Sequence, residues 1–263
     1  MKNVYLYSGT VNEVFNQIES SCKGVLKSNN DEFKLALDTD LMKGTVDGIS
    51  FINGISSIQV NLTFFDDVTL SFESLSKSSI LFAYCGEGYL THSAGISGHK
   101  STLKKHHSGV LTGSQGVNTV VQFKKDMSIK FSIIKVETES ELNPINDSLL
   151  SQLKKTFVSI PTDYSYQGIQ NFKIAEKLKE LHSIKDQGMV GHILKKEIVQ
   201  SILAMEINDH TDNLVKISYA VKHLAMKQIN QLINLPKVIR NFAVESLYNK
   251  VGTSKTRSIS SNL

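Results

Sequence analysis

SILFAYCGEGYLTHS, residues Ser79 to Ser93, is the stretch that decides the fold. Ile80–Cys85 and Tyr89–His92 are short runs of aliphatic and aromatic residues, the composition that suits a pleated, half-buried surface. Between them stands Gly86-Glu87-Gly88, whose glycines tolerate the positive φ that a tight reversal demands. The reading is strand, hairpin turn, strand. The same grammar runs outward on both sides: Val46–Phe51, Ile58–Phe65 and Val68–Phe72 precede it, and Gly109–Leu111, Val117–Phe123 and Ile129–Val136 follow. Eight strands so closely spaced predict a closed barrel or a double-sheet jelly roll, because antiparallel sheets close or stack to hide their edges.

After Asn143-Pro144 the pattern changes. Beyond Pro161 no further glycine-punctuated strand is predicted, and apolar residues recur at three- and four-residue steps. Phe172, Ala175, Leu178 and Leu181 fall on one face of a helix over Phe172–His182. Val190, Leu194, Ile198, Ile202 and Met205 do so over Met189–Asn208, and Val199, Leu203 and Ile207 widen that face. So wide a face asks for two neighbours, the sheet domain and a symmetry mate; burial wholly within one chain is the alternative. The polar run Asp209–Asn213 is expected to end this helix. A further helix over Leu214–Ile233 follows, before Pro236.

At 263 residues, 40% hydrophobic and 21% charged, the chain suits two domains. Met1 to Gly9 holds one basic residue and no apolar run of signal-peptide length, and no window approaches a membrane span. A cytoplasmic protein without a membrane partner is the expectation. Cys22 and Cys85 lie far apart with no CxxC spacing, so a zinc knuckle is excluded and buried free thiols are expected.

Charge is unevenly spread. Residues 1–150 carry 13 Lys/Arg against 16 Asp/Glu, residues 151–213 carry 8 of each, and residues 214–263 carry 8 against Glu245 alone. That last balance suits a segment approaching phosphates, with a solvated basic tail as the plain alternative. Within it, Val244–Ser254 reads as a short helix, a turn at Gly252, and an N-cap at Ser254. This is the order of a helix-turn-helix, with Leu247 and Val251 as packing contacts. Ser254, Lys255, Thr256 and Arg257 would open the reading helix. Arg257 is the best base reader, since a guanidinium pairs bidentately with a guanine edge, while Lys255 suits a phosphate.

Several of these stretches resemble regulators of the AraC family, particularly the type with an all-β sensor domain found in Bacteroidota-like bacteria. Leu70–Ser93 and Met127–Glu137 resemble strands of the sensor domain, Phe172–His210 the helical linker, and Val244–Arg257 the second helix and turn of the first helix-turn-helix. Residues 1–44 carry no such likeness. The resemblance implies an α+β chain: a cupin-like or jelly-roll sensor domain over 1–150, an α-helical linker and dimerisation region over 160–213, and a partial helix-turn-helix over 214–263. It implies a small-molecule effector, a homodimer and DNA as partners. Two departures stand out. The family carries two helix-turn-helix units, of which the second does not follow here, and a leucine usually stands where this chain has Ser258. A truncated or frameshifted product would explain both, and weak specific DNA binding is expected of it.

Other chemistry finds little footing. A cupin-like barrel invites a metal, but His92, His99, His106 and His107 lack the HxH-plus-Glu arrangement, and the adjacent pair reads as surface-loop histidines beside Lys104 and Lys105. No metal or cofactor is expected. Neither a G-x-S-x-G elbow nor a phosphate-cradling loop occurs, so no catalytic residue and no enzyme is predicted. An effector would sit inside the barrel, with Tyr84, Tyr89 and Gln122 as candidate polar-tipped lining residues or simply core.

Overall fold

The computed structural model describes residues 2–51, 54–73, 79–112, 117–138, 148–158, 165–185 and 188–233. The N-terminal stretch, left unassigned from sequence, is ordered into β1 (Lys2–Leu6), α1 (Val11–Cys22), β2 (Val25–Asn29) and β3 (Glu32–Asp38). A capping box starts α1: Thr10 accepts from the Glu13 N–H while the Glu13 carboxylate takes the Thr10 N–H at 2.7 Å. Thr-x-x-Glu ahead of an apolar repeat was a legible signal for this helix.

The remaining strands are β4 (Met42–Ser50), β5 (Ile55–Phe64), β6 (Val68–Phe72), β7 (Ser79–Glu87), β8 (Tyr89–Ala94), β9 (Ser101–Lys104), β10 (His107–Thr112), β11 (Thr119–Phe123), β12 (Met127–Glu137) and β13 (Ser165–Gln170). They form two sheets, one of order β1-β6-β11-β8-β9 and one of order β13-β10-β7-β12-β5-β4-β3-β2. From β5 onward the chain repeatedly crosses from sheet to sheet, so the domain is a jelly-roll-like sandwich. The predicted hairpin at Gly86–Gly88 is corrected here. β7 pairs with β10 and β12 in the large sheet, whereas β8 pairs with β9 and β11 in the small one. Gly88, at φ 76°, turns a corner between sheets. The local residues are those of a tight reversal either way; only partners far along the chain decide whether the flanking strands pair. β13 likewise contradicts the expectation of no strand beyond Pro161, since its backbone adds to the edge of β10.

β12 runs through the middle of the large sheet, paired with β5 along ten consecutive residues. Its inner face carries Ile129, Phe131 and Ile133 into the core between the sheets, where Phe64 and Phe123 stack at 4.5 Å. Its outer face carries Ile134 and Val136 into a second core beneath helices. That core takes Leu150 and Leu153 from α2 (Ser148–Leu153), Phe157 from the π-helical turn Lys154–Val158, and Ile174, Leu178 and Leu181 from α3 (Phe172–Ser183). Phe157 meets Phe82 of β7 edge-to-face at 5.3 Å. Each fully buried aromatic or aliphatic side chain of this kind stabilises by roughly 1.5–3 kcal/mol.

The apolar stripe of α3 keeps the predicted Leu178 and Leu181 but begins at Ile174 rather than Phe172. Ile174 is buried and Phe172 is exposed, because the Asn171 side chain caps the helix by accepting from the Ile174 N–H at 3.1 Å and sets its first turn. The last helix, α4 (Gly188–Ile233), is continuous across Asp209–Asn213, where an end was expected. That run is polar but lacks glycine and proline, so its only cost is modest propensity. The wide face of α4 divides: Ile198, Val199, Ile202, Leu203 and Ile207 are buried, whereas Met189, Val190 and Ile193 are exposed. Lys195 ties the helix to Glu32 of β3 at 2.8 Å, and His192 meets Phe51 edge-on at 5.0 Å. The chain divides into two compact units, Met1–Asn208 and Asp209–Leu263.

Candidate functional site

Between the two sheets lies a cavity of about 380 Å³. Its walls follow strand alternation: Leu81 and Ala83 of β7, Ile133 and Lys135 of β12, Val121 and Phe123 of β11, and Leu90 and His92 of β8 all project inward. One border is the segment Leu6–Val11, which joins β1 to α1. Ser8 fixes that segment by donating its N–H and its hydroxyl to Glu73, at 2.8 and 2.9 Å. These two bonds hold the Glu73 carboxyl below its ordinary range.

Most of the lining is aliphatic or aromatic, with a few polar groups. Lys135 and Glu137 form an ion pair of 2.8 Å on neighbouring inward positions of β12, and the Ser79 hydroxyl donates to the same carboxylate at 2.6 Å. Ser79 is buried, so this carboxylate is both charge-paired and hydrogen-bonded, as a partly desolvated charge requires. On the opposite sheet His92 faces the cavity beside Ser101, its cross-strand partner. Burial pushes the His92 imidazole pKa down and favours the neutral ring. Chemically, the cavity suits a small, mostly apolar molecule oriented by a few polar contacts.

The residues expected to line it are not the ones that do. Tyr84 is buried on the outer face of β7, in the core under the helices. Tyr89 is exposed, and Gln122 alternates with the lining residues Val121 and Phe123. In each case the neighbour one position away faces inward, the effect of a one-residue difference in strand phase. The sequence offers His92 as a metal-ligand candidate, and strand alternation puts it on the same inward face as Leu90.

Ser254, Lys255, Thr256 and Arg257 lie outside the described residues, as does all of Val244–Ser254. His106 and His107 sit at the reversal between β9 and β10, where the surface-loop reading placed them, although His106 is half-buried against Phe172. Among the described residues no three His, Cys, Asp or Glu side chains gather as a metal site. Cys22 and Cys85 are buried and free. Burial raises both thiol pKa values, that of Cys85 to about 11, so neither is a thiolate at neutral pH. Among the described residues no helix is long and apolar enough to cross a membrane.

Among solved structures the chain is similar to ToxT from Vibrio cholerae, at 12% identity over 61% of this chain and 57% of that one, with a TM-score of 0.40. It is similar to the AraC-like transcriptional activator CuxR, at 9% identity over 69% and 62%, also with a TM-score of 0.40. A cupin domain of an XRE family transcriptional regulator from Enterobacter cloacae matches at 11% identity over 36% of this chain and 96% of that one, with a TM-score of 0.30. The chain thus spans less than two thirds of the length of the first two. No protein-family model matches it, and no curated protein does.

The state of His92 has a measurable consequence. Its folded pKa lies below the ordinary 6.5, so the stability linked to it is complete above that value and is lost as pH falls through the folded pKa. The carboxylates with lowered pKa values titrate below 4.5, outside this window. Calorimetric Tm is expected to fall between about pH 7 and pH 5, and His92→Leu to shrink that fall. An identical pH profile in the variant would show that the ring does not titrate on unfolding.

Proposed function

We propose that this chain is the effector-sensing part of an AraC-type transcription regulator, in which the sandwich binds a small molecule and the basic C-terminal segment meets DNA. The observation that carries the reading is the preformed cavity between the sheets, in a domain followed along the chain by helices and then by fifty residues holding 8 Lys/Arg against one carboxylate. The AraC-type regulators that the sequence resembles carry those three parts in one polypeptide. Residues 1–150 act as the sensor, 160–213 as the helical linker, and 214–263 as the DNA-contacting region, with Ser254, Lys255, Thr256 and Arg257 opening its reading helix. The setting is the cytoplasm, where the DNA is.

The exposed first turns of α4 support a homodimer. Met189, Val190 and Ile193 fall at helical spacing on one side and are 80%, 64% and 57% exposed. Three large apolar side chains in water at one place are a patch that a second copy would cover, as regulators reading repeated half-sites require. Sedimentation at about 10–50 µM is expected to find dimers, and Val190→Asp with Ile193→Asp to find monomers. A monomeric parent chain at those concentrations would refute the pairing.

DNA contact is tested by fluorescence anisotropy with a duplex of about 20 base pairs at low and moderate salt. Binding is expected to weaken steeply as salt rises, and the Lys255→Ala, Arg257→Ala variant to bind about tenfold more weakly at low salt, since each phosphate contact releases counterions. Salt-insensitive binding, no binding, or equal affinity in the variant would contradict the assignment. The serine-rich run Ser258–Ser261 favours a second reading, because it departs from the family's reading helix. On that reading the chain senses an effector and dimerises without touching DNA, and the same titration separates the two.

A further inference from the structure

On the other side of the large sheet, beneath α3, lies a second cleft of about 650 Å³, within the size range of small-molecule sites. Its lining differs in kind from that of the sandwich cavity. Among the described residues, three lysines, Lys105, Lys130 and Lys179, and three histidines, His106, His107 and His182, surround it, with Glu87 as the single carboxylate. Glu87 is already paired with Lys130 at 2.7 Å. Lys105 also acts on Glu87 through space, and together the two lysines hold that carboxyl below its usual range. Among the described residues the cleft therefore presents an excess of cationic and hydrogen-bond-donating groups over protein anions.

The geometry around His106 points the same way. This residue adopts a left-handed backbone at φ 64°, uncommon outside glycine, and two backbone bonds pin it there. Its N–H donates to the Cys85 carbonyl at 2.6 Å, and its own carbonyl accepts from the Asn171 N–H at 3.2 Å, at the cap of α3. The ring is held beside Phe172, and its Nδ1 is shielded from water with no hydrogen-bond partner among the described residues. A buried ring nitrogen without a partner is costly unless something binds it. His107 engages the Lys105 carbonyl through Nδ1, and His182 the Leu178 carbonyl, so among the described residues the Nε2 atom of each remains for a ligand. Ile174, Ala175 and Leu178 of α3 supply an apolar side.

We infer that the cleft between α3 and the outer face of β7, β10 and β12 is a second ligand site, for a small molecule carrying two or more negative charges, held by Lys105, Lys179 and His106. The site lies outside the sandwich and does not depend on what the inner cavity binds. Because one wall is the sheet and the other is α3, an occupant bridges the sensor strands to the helical layer.

Isothermal titration of the full chain with pyrophosphate, AMP and citrate tests this. At least one of the three is expected to bind with Kd below about 1 mM at low salt, more weakly at about 0.3 M salt, while adenosine, uncharged, does not bind. Lys105→Ala with Lys179→Ala, both at exposed positions, is expected to weaken the anion at least about tenfold, and His106→Asn, which tolerates the left-handed backbone, to weaken it further. Circular dichroism and Tm of each variant report that the fold is kept. Binding of none of the three anions at about 5 mM, or equal affinity in the parent and the lysine variant, would overturn the site.

Discussion

The middle of the large sheet is covered on both faces, and the rest of the Met1–Asn208 unit is arranged around that constraint. β12 at its centre is paired on both edges and sends Ile129, Phe131 and Ile133 to one core and Ile134 and Val136 to another. From Ser132 to Val136 this strand has no solvent side, so both faces need apolar cover there, whereas Ser128 and Lys130 nearer its start are exposed. The five-stranded sheet covers one face and the helices α2, α3 and the first part of α4 cover the other. Small inward side chains, Ala83 and Ser101 among them, line the sandwich cavity.

This layering puts two chemically different hollows on opposite sides of one wall. The inner one is largely apolar, with the Lys135–Glu137 pair and His92 among its polar groups. The outer one is basic and roofed by α3. Phe131 borders both, next to the irregularity in pairing between β12 and β7 at Lys130. A close-packed sheet transmits displacement rather than absorbing it, so an occupant on one face and the helices on the other share a mechanical element. Such a shared element is what a sensor requires if filling one hollow is to alter the helical layer.

Much of this was legible from residue order, and what was not has identifiable causes. The strands between Val46 and Val136 announced themselves by aromatic and β-branched runs, and a closed barrel or two stacked sheets were the expected answers to so many edges, of which the structure takes the second. The corner at Gly86–Gly88 read as a hairpin because glycines mark a reversal without naming the partner strand. Tyr84 and Gln122 were placed one position out of phase, since a run such as Ile80–Cys85, apolar at nearly every position, does not say which alternate set faces inward. β13 and β9 are short segments whose strand state depends on pairing with β10 and β8. The basic cleft lay beyond reach for a related cause: Lys105, Lys130 and Lys179 come from a turn, a central strand and a helix, and only the fold brings them together. The positively charged C-terminal segment, by contrast, is a property of sequence alone.

The claim that the inner cavity receives a small apolar molecule is tested most directly by fluorescence titration with N-phenyl-1-naphthylamine, an uncharged apolar probe, against the parent chain and Ala83→Phe. The substituted ring projects from β7 into the cavity and occupies part of it. The account predicts saturable enhancement with a Kd of about 1–20 µM in the parent and at least about a tenfold loss in a variant that keeps its circular dichroism and Tm. Equal enhancement in both proteins, or none in the parent, would contradict it.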